Sequence, residues 1–309
     1  MFWTQFFHSS INRDVLNTNH LVLINNMSPF QRKISDKIQL PSLAKNIPVL
    51  MQALENDELT YRQLTEVIKQ YPVVSARLIF LTNSPWSAPI TPITCVEQAC
   101  ARLGTSIVKS LSIAISISAS FDTRKCPSFK TECFWTTSIL VAEGAGLLAS
   151  TLPNSTTSSD FKNTAYTAGL LHNLGLLWLA DNLPDETEKA FQSVREAPLI
   201  PLSNALKQHT GTDYYEAGDW VGKQMKFPEV LNVAIKHHHT NNYQNISWET
   251  ALLVGVAANM VAALHKQSDN LSTSTRLESL GIDALNQESI FQQLSKNFEK
   301  TRELAKTLF

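Results

Sequence analysis

The side chains of this sequence that could bind a metal ion or transfer a proton are concentrated in two places. His172 precedes Asn173 in the segment GLLHNLG, and His237, His238 and His239 follow one another further along the chain. Imidazoles titrate near neutral pH and are common metal ligands, so both places are candidate sites for acid–base or metal chemistry. Neighbouring residues of a helix point about 100° apart, so the three consecutive histidines cannot all face one ion.

Both places also have a structural interpretation. A buried polar group must form hydrogen bonds, and His172 beside Asn173 can do so within a layer of packed helices. Cationic histidines at the C-terminal end of a helix interact favourably with its dipole, which accounts for His238 and His239. We therefore predict a hydrogen-bonded core histidine at position 172 and no metal site. His172, His238 and His239 are kept as the weaker candidates for metal ligands.

Composition excludes several other classes of function. The 309 residues include 26 basic and 27 acidic side chains, a net charge of −1, and no basic stripe that would follow a nucleic-acid backbone. The nucleotide-binding patterns GxGxxG and GxxxxGKS/T and the hydrolase pattern GxSxG are absent from the sequence. We predict no cofactor, no catalytic residues and no nucleic-acid partner.

Several sequence features bear on the cellular location. None of the four cysteines forms a CxxC pair, which fits free thiols in a reducing compartment. The start, MFWTQFFHSS, lacks the basic residues and the cleavage site of a secretory signal. The most apolar windows, Ile139–Leu152 and Ala165–Ala180, are interrupted by polar residues and fall short of the roughly 20 residues that a membrane span needs. We predict a cytoplasmic protein without membrane contact.

After an Asn-rich start, apolar residues recur with a helical period. Leu43, Ile47, Leu50 and Leu54 fall on one stripe, and similar spacing predicts helices along the rest of the chain. One of these is a single helix over Phe161–Ala180. The sequence is therefore expected to fold as an all-α protein.

Two local features add detail to this helical prediction. Thr94 with Glu97 three residues later has the spacing of a capping box and predicts a helix start. The segment Thr105–Phe121 alternates serine with isoleucine or alanine, which locally favours a strand. Its length favours a buried helix, in which serine bonds back to the preceding turn, and we predict a helix there.

The pattern divides the chain into three parts. Residues 1–38 are predicted to be an N-terminal appendage, and residues 39–266 a helical domain. Within this domain, residues 39–121 and 130–266 form two packed helical halves. Residues 267–309 are predicted to be a C-terminal helical extension.

Two blocks of sequence resemble the HDOD family, whose name denotes an output domain related to HD phosphohydrolases. The first block runs from LPSLAKNIPVLMQALEN to the segment ending CVEQACARLG, with Asn83-Ser84 before a proline-broken loop. The second comprises FWTTSILVAEGAGLLA, TAYTAGLLHNLGLLWLA and FPEVLNVAIKHHHTNN. The family usually has an acidic residue where this chain has Tyr71. This resemblance covers roughly residues 40–265 and implies an all-helical fold.

The resemblance also implies where a metal would have been held. In HD-type phosphohydrolases a histidine, an adjacent His-Asp pair and a distant aspartate together hold a divalent ion. In this chain these positions are Thr137, His172, Asn173 and Asn259. An asparagine contributes no charge to a metal site and cannot be a general base. The resemblance therefore indicates a degenerate site.

The function implied by this resemblance is a non-enzymatic bacterial signal-transduction or regulatory module. Such a module would act by binding a partner protein in a signalling pathway or a small ligand. The alternative is a residual metal-dependent phosphohydrolase that uses His172 with His238 or His239. The missing carboxylates argue against this alternative.

Overall fold

The computed structural model describes residues 47–55, 59–153, 159–267 and 273–309 of the chain. Within these ranges the secondary structure is α-helical apart from a short 3-10 helix at Thr123–Lys125, and no strand is present. The all-α prediction is confirmed. The helices are α1 Ile47–Glu55, α2 Tyr61–Lys69, α3 Pro72–Thr82, α4 Val96–Leu103, α5 Thr105–Ser118, α6 Thr131–Thr151, α7 Ser159–Leu171, α8 Leu174–Asn182, α9 Pro184–Glu196, α10 Leu202–Thr210, α11 Tyr214–Gln224, α12 Glu229–His237, α13 Trp248–His265, α14 Thr275–Ser279 and α15 Ala284–Leu308.

The N-terminal half consists of α1 to α5, and its helix ends follow local signals. Pro72 starts α3, and Gly104 ends α4 with a φ of 84°, a conformation that favours glycine. The predicted cap at Thr94 is wrong, because α4 begins at Val96 with Cys95 in the N-cap position. Instead, the Thr94 backbone N–H donates to the side chain of Gln98 at 3.1 Å, so the glutamine replaces the expected Glu97 contact.

The serine-rich segment forms helix α5, which confirms the helical prediction over the strand alternative. The Ser112 hydroxyl donates to the Val108 carbonyl one turn earlier at 2.6 Å. Ser120, just beyond the helix, bonds in the same way to the Ser116 carbonyl at 2.9 Å. These bonds allow the serines to lie in an apolar layer without unpaired hydroxyls.

Helix α6 is the central element of the HD-like half, with α7, α13 and α15 packed against it. Small residues allow this close packing. A Cβ on Gly169 of α7 would lie 2.8 Å from the backbone of Ala142, and a Cβ on Gly144 would lie 3.0 Å from the Ala257 Cβ of α13. Beside this group, α8 packs against α11, α9 against α10, and α12 against α7, α11 and α13.

The two halves are in contact through α5 with α7 and through the C-terminal helix. Arg77 of α3 donates to the Leu308 carbonyl at 2.7 Å, and the Phe309 ring stacks on Trp135 of α6 at 4.2 Å. The described residues all belong to one compact unit. The predicted appendage at residues 1–38 lies outside the described ranges. The boundary proposed at residue 267 remains a prediction.

Two helices in the described part of the chain are long and apolar enough to cross a membrane, by length and composition alone. They are α6 and α13, each with a mean hydropathy of 1.3 in its most apolar window. Helices α4 and α5 pass the same test only as a pair bent by 117°. The predicted apolar windows were shorter than these helices and did not include α13. Within the fold, 72% of the α6 window is buried, so internal packing accounts for its apolar sequence.

Candidate functional site

His172 lies at a break between two helices. Helix α7 ends at Leu171 and α8 begins at Leu174, so the single helix predicted over Phe161–Ala180 is wrong. Asn173 has φ −101° and ψ 14°, outside the helical region, and occupies the N-cap position of α8. The Asn173 side chain makes no capping hydrogen bond to α8, so this weak helix former tolerates the break but does not by itself fix its position.

The imidazole of His172 is buried and hydrogen-bonded to its own helix. The residue is 2% exposed, and its Nδ1 lies 2.6 Å from the Gly169 carbonyl oxygen. A carbonyl only accepts, so Nδ1 carries the proton and Nε2 carries a lone pair. Burial lowers the pKa of His172 to about 4, and the carbonyl bond opposes this only in part. His172 is therefore neutral at pH 7.

His238 faces His172 from the end of another helix. Their ring centroids are 5.1 Å apart, with the ring planes at 82°. His238 is the C-cap of α12, and its Nδ1 lies 2.9 Å from the Ala234 carbonyl and 3.1 Å from the Ile235 carbonyl. The residue is half-buried and its ring is enclosed. Burial, followed by repulsion from His172, lowers the pKa of His238 to about 3. The site thus contains two neutral imidazoles in contact.

A tyrosine from α11 completes this cluster. The Tyr215 ring meets the His238 ring at 5.0 Å and stacks on the His239 ring at 3.6 Å. Its hydroxyl accepts a hydrogen bond from the Tyr214 hydroxyl at 2.6 Å. Asp213 fixes this turn as the N-cap of α11, because its carboxylate accepts from the Tyr215 and Glu216 backbone N–H groups at 3.0 and 2.9 Å.

Two glycines permit the backbones around the cluster to approach one another. A Cβ on Gly175, in the first turn of α8, would lie 1.9 Å from the Tyr214 carbonyl oxygen and 2.4 Å from the Gly218 nitrogen. A Cβ on Gly255 of α13 would lie 2.0 Å from the His238 carbonyl oxygen. Only a residue without a side chain fits at these contacts, so both glycines help to position the cluster.

The rings of the three consecutive histidines point in different directions, although Tyr215 contacts both His238 and His239. His237 stacks on Tyr243 at 4.1 Å, whereas His238 contacts His172 and His239 contacts Tyr215. The divergence follows from the helical geometry that the sequence implied. His238 is the member of the run that joins His172.

Thr137 and Asn259 lie away from each other. Gly144 of α6 lies opposite Ala257 of α13. Thr137, which comes earlier in α6, contacts His265, which comes later in α13, so the two helices run antiparallel. At a rise of about 1.5 Å per residue, Thr137 and Asn259 are separated by about 7 Å along the helices. The Thr137 hydroxyl donates to the Cys133 carbonyl at 2.8 Å and lies 2.9 Å from the His265 Nε2.

The four positions implied by the resemblance differ in their burial. Asn259 is exposed, His172 is buried, and Asn173 is half-buried with no side-chain bond to its helix. Among the described candidate residues, His172 and His238 are the one pair from different helices that is in direct contact. The site is therefore centred on this imidazole pair.

The family assignment follows from a match along most of this fold. The family model for the HDOD domain matches residues 40–241. The chain belongs to the HDOD domain family. The resemblance stated from the sequence blocks is confirmed. The imidazole cluster, whose last residue is His239, lies within the matched residues.

Solved structures with the same fold include proteins from three bacteria. A candidate signal transduction protein from Marinobacter aquaeolei VT8 is 20% identical, with a TM-score of 0.75 over 97% of this chain and 67% of that chain. An HDOD domain protein of unknown function from Geobacter sulfurreducens is 19% identical, with a TM-score of 0.69 over 91% and 97%. A candidate phosphohydrolase from Shewanella amazonensis SB2B is 22% identical, with a TM-score of 0.67 over 91% and 98%. No curated protein matches the sequence.

The residues of this HDOD domain do not fit the divalent metal that HD relatives hold. Across the described ranges, no three or more His, Cys, Asp or Glu side chains are grouped so that they could hold a metal ion. The imidazole pair offers two neutral nitrogen donors, and Asn173 offers an uncharged amide. A divalent ion in a site of this kind is held by carboxylates as well as imidazoles, and the pair has none.

Sequence reasoning did not identify the tyrosines of the cluster. They directly follow the N-cap residue Asp213, and their spacing alone does not connect them with the histidines. The signal was present in the order Asp-Tyr-Tyr-Glu, since an N-cap aspartate fixes the direction of the next turn. Which rings this turn meets depends on the packing of α11 against α12.

Proposed function

We propose that this HDOD protein is a non-enzymatic regulatory module of a bacterial signalling pathway. It acts by binding a partner protein or a small ligand. The observation that carries the proposal is the contact between His172 and His238, in which two neutral imidazoles meet in a layer without a carboxylate. Family membership supports a signalling role, because a relative of the same fold is described as a candidate signal transduction protein.

The chemistry of the pair supports the non-enzymatic part of this proposal. Metal-assisted hydrolysis needs a dication that lowers the pKa of bound water, and anionic ligands retain that ion. Two lost carboxylates at about 4 Å would each remove about 4 kcal/mol of attraction for a unit charge near a protein surface.

We also propose that the protein is located in the cytoplasm. All four cysteines are free, and two of them, Cys100 and Cys126, are buried. Burial raises the pKa of the Cys126 thiol to about 11, which keeps it protonated and unreactive. Unpaired thiols of this kind are typical of proteins in a reducing compartment.

The second candidate function is a residual phosphohydrolase. Its supporting observation is that His172 and His238 each bond through Nδ1, so both Nε2 lone pairs remain for an ion. His239 contributes less to such a site, because its ring is stacked on Tyr215.

A hydrolysis assay separates the two functions. We expect purified protein to hydrolyse p-nitrophenyl phosphate, nucleotides and cyclic dinucleotides no faster than background, with or without added manganese. The same background rate is expected for His172→Ala and His238→Ala. Hydrolysis that increases with manganese and disappears in His172→Ala would establish the phosphohydrolase and contradict the regulatory proposal.

A further inference from the structure

A groove that shares no lining residue with the imidazole cluster has the dimensions of a ligand site. It lies between the first turns of α6, the end of α13 and the middle of α15, and its volume is about 560 Å³. Small-molecule sites are typically roughly 300–1,000 Å³. The groove is open to solvent on one side, so a ligand can enter without movement of a helix.

The side chains that line the groove carry more negative than positive charge. Arg302 of α15 lies between two carboxylates, with its Nη2 2.9 Å from Glu299 and its Nε 3.6 Å from Glu132 of α6. One guanidinium thus faces two carboxylates, and no other Lys or Arg lines the groove. The lining has a net charge of −1 when His265 is neutral. A cation would be attracted, whereas an anion would have to displace a carboxylate from Arg302.

His265 adds a hydrogen-bond acceptor to this wall. The Thr137 hydroxyl donates its proton to the Cys133 carbonyl, so it can only accept from the His265 Nε2–H. In the neutral imidazole, Nδ1 then carries a lone pair. An ammonium or guanidinium group is a donor and has no acceptor, which matches this lone pair and the two carboxylates.

The floor of the groove is apolar. Phe291 is 2% exposed, and Phe298 meets the His265 ring edge-on at 5.1 Å, with Leu264 beside them. Aromatic side chains bind an apolar body and also attract a cation to the ring face. The groove therefore combines an apolar floor with a rim of negative charge.

We propose that this groove binds a small organic cation, an amine or guanidine attached to an aromatic or aliphatic body. The proposal gives a site and a ligand class to the binding role described above and rests on that role. The cationic group contacts the carboxylates of Glu132 and Glu299 beside Arg302, which keeps its place between them, and the body lies over Phe298. No part of it requires the His172–His238 pair.

Two probes with the same ring and opposite charge test this assignment. Tryptamine carries an ammonium group and indole-3-acetate a carboxylate, and their binding to the full chain is measured by isothermal titration calorimetry. We expect tryptamine to bind at least about tenfold more tightly, the equivalent of one charge-assisted hydrogen bond. Glu299→Gln should weaken tryptamine binding by a similar factor. Glu303→Gln, which makes the same change on an exposed residue of α15 outside the groove, should leave it within about twofold.

A steric variant completes the test. Ser295→Trp places a large ring in the groove from an exposed position of α15 and should abolish tryptamine binding while the melting temperature stays near that of the wild type. Equal binding of both probes, no tryptamine binding at millimolar concentration, or unchanged binding to Ser295→Trp would each overturn the assignment. These results would leave the proposed regulatory function intact, because that function is tested by the absence of hydrolysis.

Discussion

The folded protein should lose about 3 kcal/mol of unfolding free energy between pH 6.5 and pH 4 through His172 alone. Burial lowers its pKa from 6.5 to about 4, and each pKa unit corresponds to about 1.4 kcal/mol. Above pH 6.5 the imidazole is neutral in both the folded and the unfolded state, so it contributes no pH dependence. Below pH 6.5 the unfolded chain binds a proton that the folded chain does not, and stability falls until the folded pKa is reached. His238, with a pKa of about 3, adds to this loss.

Urea denaturation at a series of pH values measures this effect. His172→Gln removes the titrating group and retains a donor for the Gly169 carbonyl, so its stability should depend less on pH across this window, even if its stability at pH 7 is lower. His239→Gln is the matched control, because His239 is exposed and its ring stacks on Tyr215 at the edge of the cluster. A wild-type stability that is constant from pH 6.5 to pH 4 would show that His172 is not buried as described.

Gly175→Ala is expected to be the most destabilising single-methyl change at the site, by about 3 kcal/mol. The added Cβ would overlap the Tyr214 carbonyl oxygen and the Gly218 nitrogen, which are backbone atoms and cannot rotate away. Relief requires α8 to move from α11, which would also separate Tyr215 from the histidines. The melting temperature and the denaturation midpoint measure this loss.

Gly146→Ala is the matched control for this variant. Its Cβ would lie 3.3 Å from the Tyr166 ring, a side chain that can adjust, and alanine favours a helix by about 1 kcal/mol over glycine. We expect its stability to lie within about 1 kcal/mol of the wild type. Comparable losses in the two variants would show that the backbone contact at Gly175 is not the cause.

The helical fold could be predicted from the sequence because most elements carry a strong local signal. The stripe that includes Leu50 and Leu54 and the proline at the start of α3 specify their helices without reference to the rest of the chain. Even the serine-rich α5 could be recognised from its length. The break after Leu171 could not, because apolar residues continue on both sides and the close contact of Gly175 with α11 is tertiary.

Only part of the candidate site could be predicted from the sequence. His172 was identified correctly as a buried, hydrogen-bonded histidine, because polar residues within an apolar segment are buried and must form hydrogen bonds. Its contact with His238 depends on the relative placement of α7 and α12, which periodicity does not contain. The expectation that Thr137 and Asn259 share one place with His172 came from the resemblance and remains a prediction.

A manganese titration of the wild-type protein tests most directly whether the His172–His238 pair is a bonded core pair or a metal site. Binding to the folded state alone raises the melting temperature with the logarithm of ion concentration, and calorimetry gives the stoichiometry. We predict no single-site binding at micromolar manganese and no rise in melting temperature, for the wild type and for His172→Ala alike. One manganese ion bound per chain, with a rise in melting temperature that His172→Ala and His238→Ala each remove, would contradict the proposed role of the pair.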